Sequence, residues 1–283
     1  MSTLPSTSLE DVLADEEIEA VVLATPHDVH VPQIPAAVSA GKHVFVEKPL
    51  ALQLTQAHKA VTAAVSAGKV LAVGLNRRFL PAAAALRDAV ERGDLGDLVH
   101  LEGLFCNDTG LSYDAGMWRA QESGPLSAMT AMGIHVLDFL MMLCGPVQTV
   151  RTNSVRRLAS VAVDDVVCVN IMFQNGVPAE LTTMLTTPRQ WRIRVYGSRG
   201  WAELSDEHTL HVSDGRGPVK TTVFDAIDTL RVELEAFAAA TRGNGNFPVS
   251  TKSALDGVAA FEAIITSASA GGAPIDVTTT AAD

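Results

Sequence analysis

The chain has 283 residues, 47% of them hydrophobic, enough to bury a sizeable core in one large domain or two ordinary ones. Its net charge is −11 and its Lys and Arg are scattered, which argues against nucleic-acid and membrane-surface roles, because an acidic surface repels phosphate backbones and anionic lipid. The acidic start, MSTLPSTSLEDVLADEEIEA, has no apolar stretch of a signal peptide, and Cys106, Cys144 and Cys168 lack metal or CxxC spacing, so they read as free buried thiols of a cytoplasmic protein.

In chain order, SLEDVLADEEI reads as a helix, with Ser8 as N-cap and acids in the first turn. AVVLAT (20–25) is a short β-branched run ending before Pro26, suited to a buried parallel strand. VHVPQIPAAVSAG reads as helical in part: Pro32 fits a first turn, Pro35 is awkward, and Gly41 closes it. HVFVEK is the next strand, TQAHKAVTAAVSAGK a helix closed by Gly68, VLAVGLN (70–76) a third strand, and 81–92 a helix closed by Gly93. Strand–helix alternation of this kind predicts a parallel sheet with helices on its faces.

The alternation fades after residue 93. LVHLEGLFC, VQTVRTNSV, VVCVNIMF, AELTTML, WRIRVYG, GWAEL and TLHVS alternate apolar and polar residues between turn signals, and Asn175-Gly176 is a two-residue hairpin signal. Helices are expected near 127–144, 226–241 and 251–270. LSAMTAMGIHVLDFLMMLCG carries His135 and Asp138 and reads as a core helix rather than a membrane span. The expectation is α/β: an incomplete Rossmann-type parallel domain over 1–93, then a substrate-binding and oligomerisation α/β domain over 94–283 with a large, mostly antiparallel open sheet.

Val44-Phe45-Val46 ends in Glu47, Lys48 and Pro49 where turn residues are usual. In a parallel sheet, ligands bind beyond the carboxyl ends of the strands, which is where these residues fall. Thr25-Pro26, and Asn76 with Arg77 or Arg78, end the flanking strands at the same edge; an Asn–Arg pair there suits substrate hydroxyls or a carboxylate. His208 and His211 project from opposite faces of a strand with no third ligand near in sequence, so no metal site is expected.

The ordered set ATPHDVH, AGKHVFVEKPLA, GLNRRFLPA, GDLGDLVHLEG, WRA, MGIHVLDFL and LCGPV resembles the Gfo/Idh/MocA family of NAD(P)-dependent oxidoreductases, from about Ser8 to about Val277. The resemblance implies hydride transfer between NAD or NADP and a secondary alcohol or ketone of a sugar, inositol or related polyol. It also implies a homo-oligomer formed through the open sheet. Lys48 would stabilise the developing alkoxide and pass on its proton, with a nearby positive nicotinamide and partial desolvation lowering its pKa. His135 would be the second acid/base. Thr25, Pro26, His30, Glu47 and Pro49 would lie along the cofactor. Glu47 could orient Lys48, bind near the ribose or hold backbone amides. Asn76, Arg78, Trp118, Arg119 and Asp138 would line the substrate, Asp138 alternatively orienting His135 or serving as a buried cap or an interdomain hydrogen bond. The Lys48–Pro49 bond is expected to be cis.

Two departures from the family pattern stand out. The Gly-rich strand–turn–helix that seats the pyrophosphate has no counterpart: GRGPVK (215–220) and GNGNFP (243–248) lack a third glycine and a preceding parallel strand. Ala131 stands where the family often has an aspartate one turn before the histidine. The chain therefore reads as an N-terminally shortened oxidoreductase, expected to bind cofactor badly or not at all. The alternative is a cofactor-free, non-catalytic relative acting as a dimerising or ligand-binding module; a redox-assisted lyase or glycosidase is a third reading.

Overall fold

The computed structural model describes residues 8–117 and 127–278. They form two compact units. One takes the chain to Leu75 and then Leu230–Val258; the other takes Asn76–Thr229 and the chain from Ala259.

The first unit is built on a parallel sheet. Strands β1 (Ala20–Leu23), β2 (His43–Glu47) and β3 (Leu71–Gly74) lie side by side in the order β1-β2-β3. Val44, Phe45 and Val46 are buried on both faces of the middle strand, as a run without alternation requires. Helices α1 (Leu9–Ala14), α2 (His27–Ser39) and α3 (Leu54–Ser66) come before and between the strands. Ser8 caps α1 by accepting the Asp11 N–H. Helix α2 runs unbroken through Pro32 and Pro35, longer than the part-helix expected. His30, Ile34, Ala37 and Val38 on α2 are all buried, and this packing outweighs the amide hydrogens that the two prolines lack. After α2 and α3 the chain turns through Gly41 and Gly68 at φ 78° and 63°, a conformation that favours glycine. The Phe45 ring meets Phe237 of α6 (Thr229–Thr241) edge-on at 5.7 Å and Phe247 at 6.3 Å.

The second unit is a nine-stranded sheet in the order β11-β10-β9-β8-β4-β7-β6-β5-β12. Its strands are β4 (Leu98–Cys106), β5 (Val147–Val155), β6 (Val166–Phe173), β7 (Pro178–Met184), β8 (Gln190–Gly197), β9 (Gly200–Leu204), β10 (Thr209–Ser213), β11 (Lys220–Val223) and β12 (Ile275–Asp276). All pairings are antiparallel except β4–β7. The β6–β7 hairpin turns at Asn175-Gly176, where Gly176 has φ 84° and its N–H bonds Phe173 O at 2.9 Å. Helix α4 (Pro81–Glu91) packs on β9 and β10, and α5 (Ile134–Cys144) on β4 and β7. Gly103 of β4 has no side chain where Val136 Cγ1 lies, so α5 sits close against the strand. The outer face carries an ordered polar and aromatic set: Arg192 and Tyr196 reach Glu102 at 3.2 and 3.0 Å, and the Arg194 guanidinium stacks 4.5 Å from the Trp201 ring centre. Helix α7 (Thr251–Ser269) contributes residues to both units. Cys106 and Cys144 are buried, but Cys168 is exposed, because its position on β6 falls on the outward side of the alternation.

Candidate active site

In the first unit the carboxyl ends of β1 and β2 carry Thr25-Pro26 and Lys48-Pro49. Pro26 opens α2, and Thr25 Oγ1 donates to Gln33 Oε1 at 2.6 Å. The Lys48–Pro49 bond is cis. Glu47 turns its carboxylate back onto its own strand end: Oε2 accepts the Lys48 backbone N–H at 3.3 Å, and Gly74 on β3 leaves room beside Oε1. Of the three roles open to Glu47 in the sequence, holding a backbone amide is the one seen here. His30 is 1% exposed, its Nδ1 3.1 Å from Pro49 O and its Nε2 2.8 Å from Thr25 O. One imidazole thus ties the turn after β1 to the turn after β2. Its polar atoms meet backbone, so what it fixes is the geometry of these two turns.

These turns, at 24–26 and 48–53, contain no glycine. The left-handed glycines of this unit, Gly41, Gly68, Gly243 and Gly245, all follow helices. Among the described residues, then, no strand-to-helix turn of this unit forms a glycine cradle for a pyrophosphate.

In the second unit His135 stands at the start of α5, half-buried, its ring centre 6.3 Å from that of Phe105 on β4. Ala131 lies in a π-wound turn, Met129–Gly133, that leads into α5. Residues 131 and 135 are therefore joined by a wider winding than the i, i+4 repeat of an α-helix. Asp138 and Arg78, both expected to face substrate, face each other. Arg78 donates from Nε and Nη2 to Asp138 at 2.8 and 2.6 Å, in a pair nine-tenths buried. Burial pushes the Asp138 carboxyl up, and Arg78 opposes it. Asn76 Nδ2 donates to Thr229 Oγ1 at 2.9 Å. Trp118 and Arg119 lie outside the described residues.

Arg77, the other arginine that the sequence offered beside Asn76, has surroundings that the sequence did not show. Its guanidinium lies 5.3 and 5.4 Å from the ring centres of Phe105 and Trp191, and Glu207 pairs with both Arg77 and Arg189. Burial works against the Glu207 charge, but the two arginines outweigh it and hold the carboxyl below its usual range; burial also lowers Arg77. The signal available was Phe105 and Trp191 at inward positions of strands that pair directly. Among the described residues no group of three or more His, Cys, Asp or Glu could hold a metal ion, and no helix is long and apolar enough to cross a membrane.

Residues 2–75 match the family model described as an oxidoreductase family with an NAD-binding Rossmann fold, and residues 83–203 match the GFO/IDH/MocA C-terminal domain. The chain belongs to the Gfo/Idh/MocA oxidoreductase family. It is 29% identical over 197 residues to trans-1,2-dihydrobenzene-1,2-diol dehydrogenase of Mus musculus, a match covering 70% of this chain and 58% of that enzyme. The chain thus spans less than two thirds of the mammalian relatives it matches. It is 27% identical to 1,5-anhydro-D-fructose reductase of Ensifer adhaerens over 94% of this chain and 82% of the relative. The fold of a crystallised oxidoreductase of Desulfitobacterium hafniense, described as NADPH-dependent, superposes with a TM-score of 0.87 at 26% identity, over 96% of this chain and 83% of that one. Levoglucosan dehydrogenase in complex with NADH and L-sorbose shares the fold, with a TM-score of 0.88 at 23% identity over 97% of this chain and 83% of that one. The Rossmann-type sheet and the large, mostly antiparallel sheet are those of this Gfo/Idh/MocA architecture.

Proposed function

We propose that this chain is an oxidoreductase that moves hydride between NAD or NADP and a secondary alcohol or ketone carbon of a sugar, inositol or related polyol. The observation that carries the proposal is the Lys48-Pro49 turn at the carboxyl end of the middle parallel strand, pinned by His30 and by the Glu47 carboxylate. The family models support the reaction class, and the relatives named for a dihydrodiol, an anhydro-sugar and levoglucosan support the substrate class.

A nicotinamide cofactor, when bound, supplies the hydride acceptor or donor. The chain's own work is with the proton. Lys48 donates a hydrogen bond to the substrate oxygen and stabilises the alkoxide that develops as hydride leaves carbon. His135 is the second proton-handling group. Thr25, Pro26, His30, Glu47 and Pro49 shape the cofactor side of the first unit, His30 and Glu47 through backbone rather than by direct contact. Asn76, Arg78 and Asp138, with Trp118 and Arg119, are assigned to the substrate side, Arg78 and Asp138 as a supporting pair. The Thr25-Pro26 and Lys48-Pro49 turns would hold the nicotinamide end of a cofactor. Lys48→Ala is expected to lower turnover by about 100-fold or more with substrate and cofactor saturating, the scale of general acid–base catalysis. An unchanged rate removes Lys48 from the mechanism. We further propose that two copies pair through the outer face of the nine-stranded sheet.

A second reading is favoured by a specific observation. The lack of a glycine cradle among the described residues, together with Ala131 in place of the family's frequent aspartate, suits a cofactor-free module that binds a ligand or dimerises. Titration with the cofactor separates the two readings.

A further inference from the structure

Immediately before His135 the chain does something rare. Residues Met129–Gly133 are π-wound, and the Ile134 N–H reaches Met129 O. A π-turn carries one residue more than an α-turn and occurs mostly as a single turn inside α-helices. A turn of this kind needs its neighbours to hold it open, and three features here do so.

Thr183 on β7 is fully buried, and its Oγ1 donates to Ala128 O at 3.2 Å, the carbonyl just before the wide turn. Gly133 makes space within the turn: a Cβ there would overlap Met129 Sδ and come within 3.0 Å of Thr183 Cγ2. Downstream, Gly103 on β4 admits Val136 and fixes α5 against the sheet. The segment is thus anchored at Ala128 and again at Val136, with one residue more between them than α winding would hold. His135 lies between the two anchors. Thr130 adds a local hydroxyl bond to Ser127 O at 3.1 Å, so two carbonyls at this start of the helix accept from threonine side chains.

We propose that Thr183 is a positioning residue for His135, acting through the π-wound turn Met129–Gly133. Without the Thr183 hydroxyl the Ala128 carbonyl loses its partner on the sheet, and the turn relaxes toward α winding. One residue's worth of rotation is about 100° around a helix, so the direction of His135 relative to Phe105 changes. The effect on turnover rests on the proton role given to His135 above; the effect on its position does not.

The test therefore reads position and activity separately. Thr183→Val keeps the shape and removes the hydroxyl, while Thr183→Ser keeps the hydroxyl. His135→Gln assigns the His135 ring resonances by NMR. In Thr183→Val the His135 ring shifts and its through-space contacts with the Phe105 ring are expected to change, while the ring signals of His30 and His100 stay. In Thr183→Ser all of them stay. Turnover in Thr183→Val is expected to fall by up to about 100-fold with KM little changed, as for a misplacement of about 1 Å. His135 signals that are unmoved in folded Thr183→Val, or moved equally in Thr183→Ser, overturn the proposal. If Thr183→Val does not fold, Gly133→Ala takes its place: His135 signals that move in it and stay in Thr183→Ser support the proposal, and any other pattern overturns it. A His135→Gln enzyme with unchanged turnover sinks the proton role alone and leaves the positional result to stand by itself.

Discussion

The Asp165 carboxylate is fully enclosed, yet it accepts the N–H groups of Arg157, Leu158 and Ala159 at 2.7, 2.7 and 2.6 Å. Burial by itself would raise its pKa; the three backbone donors outweigh burial and hold it below the usual carboxylate range. The folded value is thus below the unfolded one, near 3.9, so the ionised form stabilises the fold above about pH 4 and that stability is lost as pH falls through the folded value. Asp165→Asn is expected to cost about 2 kcal/mol at neutral pH, the scale of hydrogen bonds to a charged group. Denaturant melts of both proteins should show the gap closing on acidification; a gap that stays constant contradicts the assignment. The same limit applies at other residues: sequence shows a residue's chemistry and not its partner. That Lys48 follows a strand, and that His30 and His135 lie on helices, was legible. That His30 would spend both ring nitrogens on the carbonyls of Thr25 and Pro49 was not. Nor could spacing show that Arg78 and Asp138, sixty residues apart, would close on each other.

At the scale of elements, period-two alternation marked seven strands of the large sheet almost to the residue, because one face of each is buried and the other half-exposed. It missed β11, whose residues Lys220–Val223 are mostly exposed and bear no alternation, and the two-residue β12. Direct parallel pairing of β4 with β7 is a tertiary outcome that neither strand encodes alone. The wide turn at Met129–Gly133 was hidden for a related reason. Its residues are ordinary helix residues, and what holds the turn open, Thr183 and the sheet beneath it, lies some fifty residues on. Helix α2 shows the reverse case, in which local chemistry argued for a break and burial of one face overrode it.

At the scale of the molecule, the parallel unit was legible from strand–helix alternation and the large sheet from its change of period. The unit that holds β1–β3 also takes in residues 230–258, a return of the chain that local pattern does not encode. Pairing of two copies through the outer sheet face is tested by sedimentation. A dimer is expected, weakened toward monomer when Arg194 and Trp201, the stacked pair on that face, are both changed to Glu. A monomer at all concentrations, or a dimer indifferent to these changes, contradicts that surface. The central claim, that this chain is a nicotinamide-dependent oxidoreductase, is tested most directly by calorimetric titration of the full chain with NAD and with NADP. Weak but saturable binding of one of them is predicted, weak because no glycine cradle holds the pyrophosphate among the described residues; no binding of either would contradict the account and leave the cofactor-free module in its place.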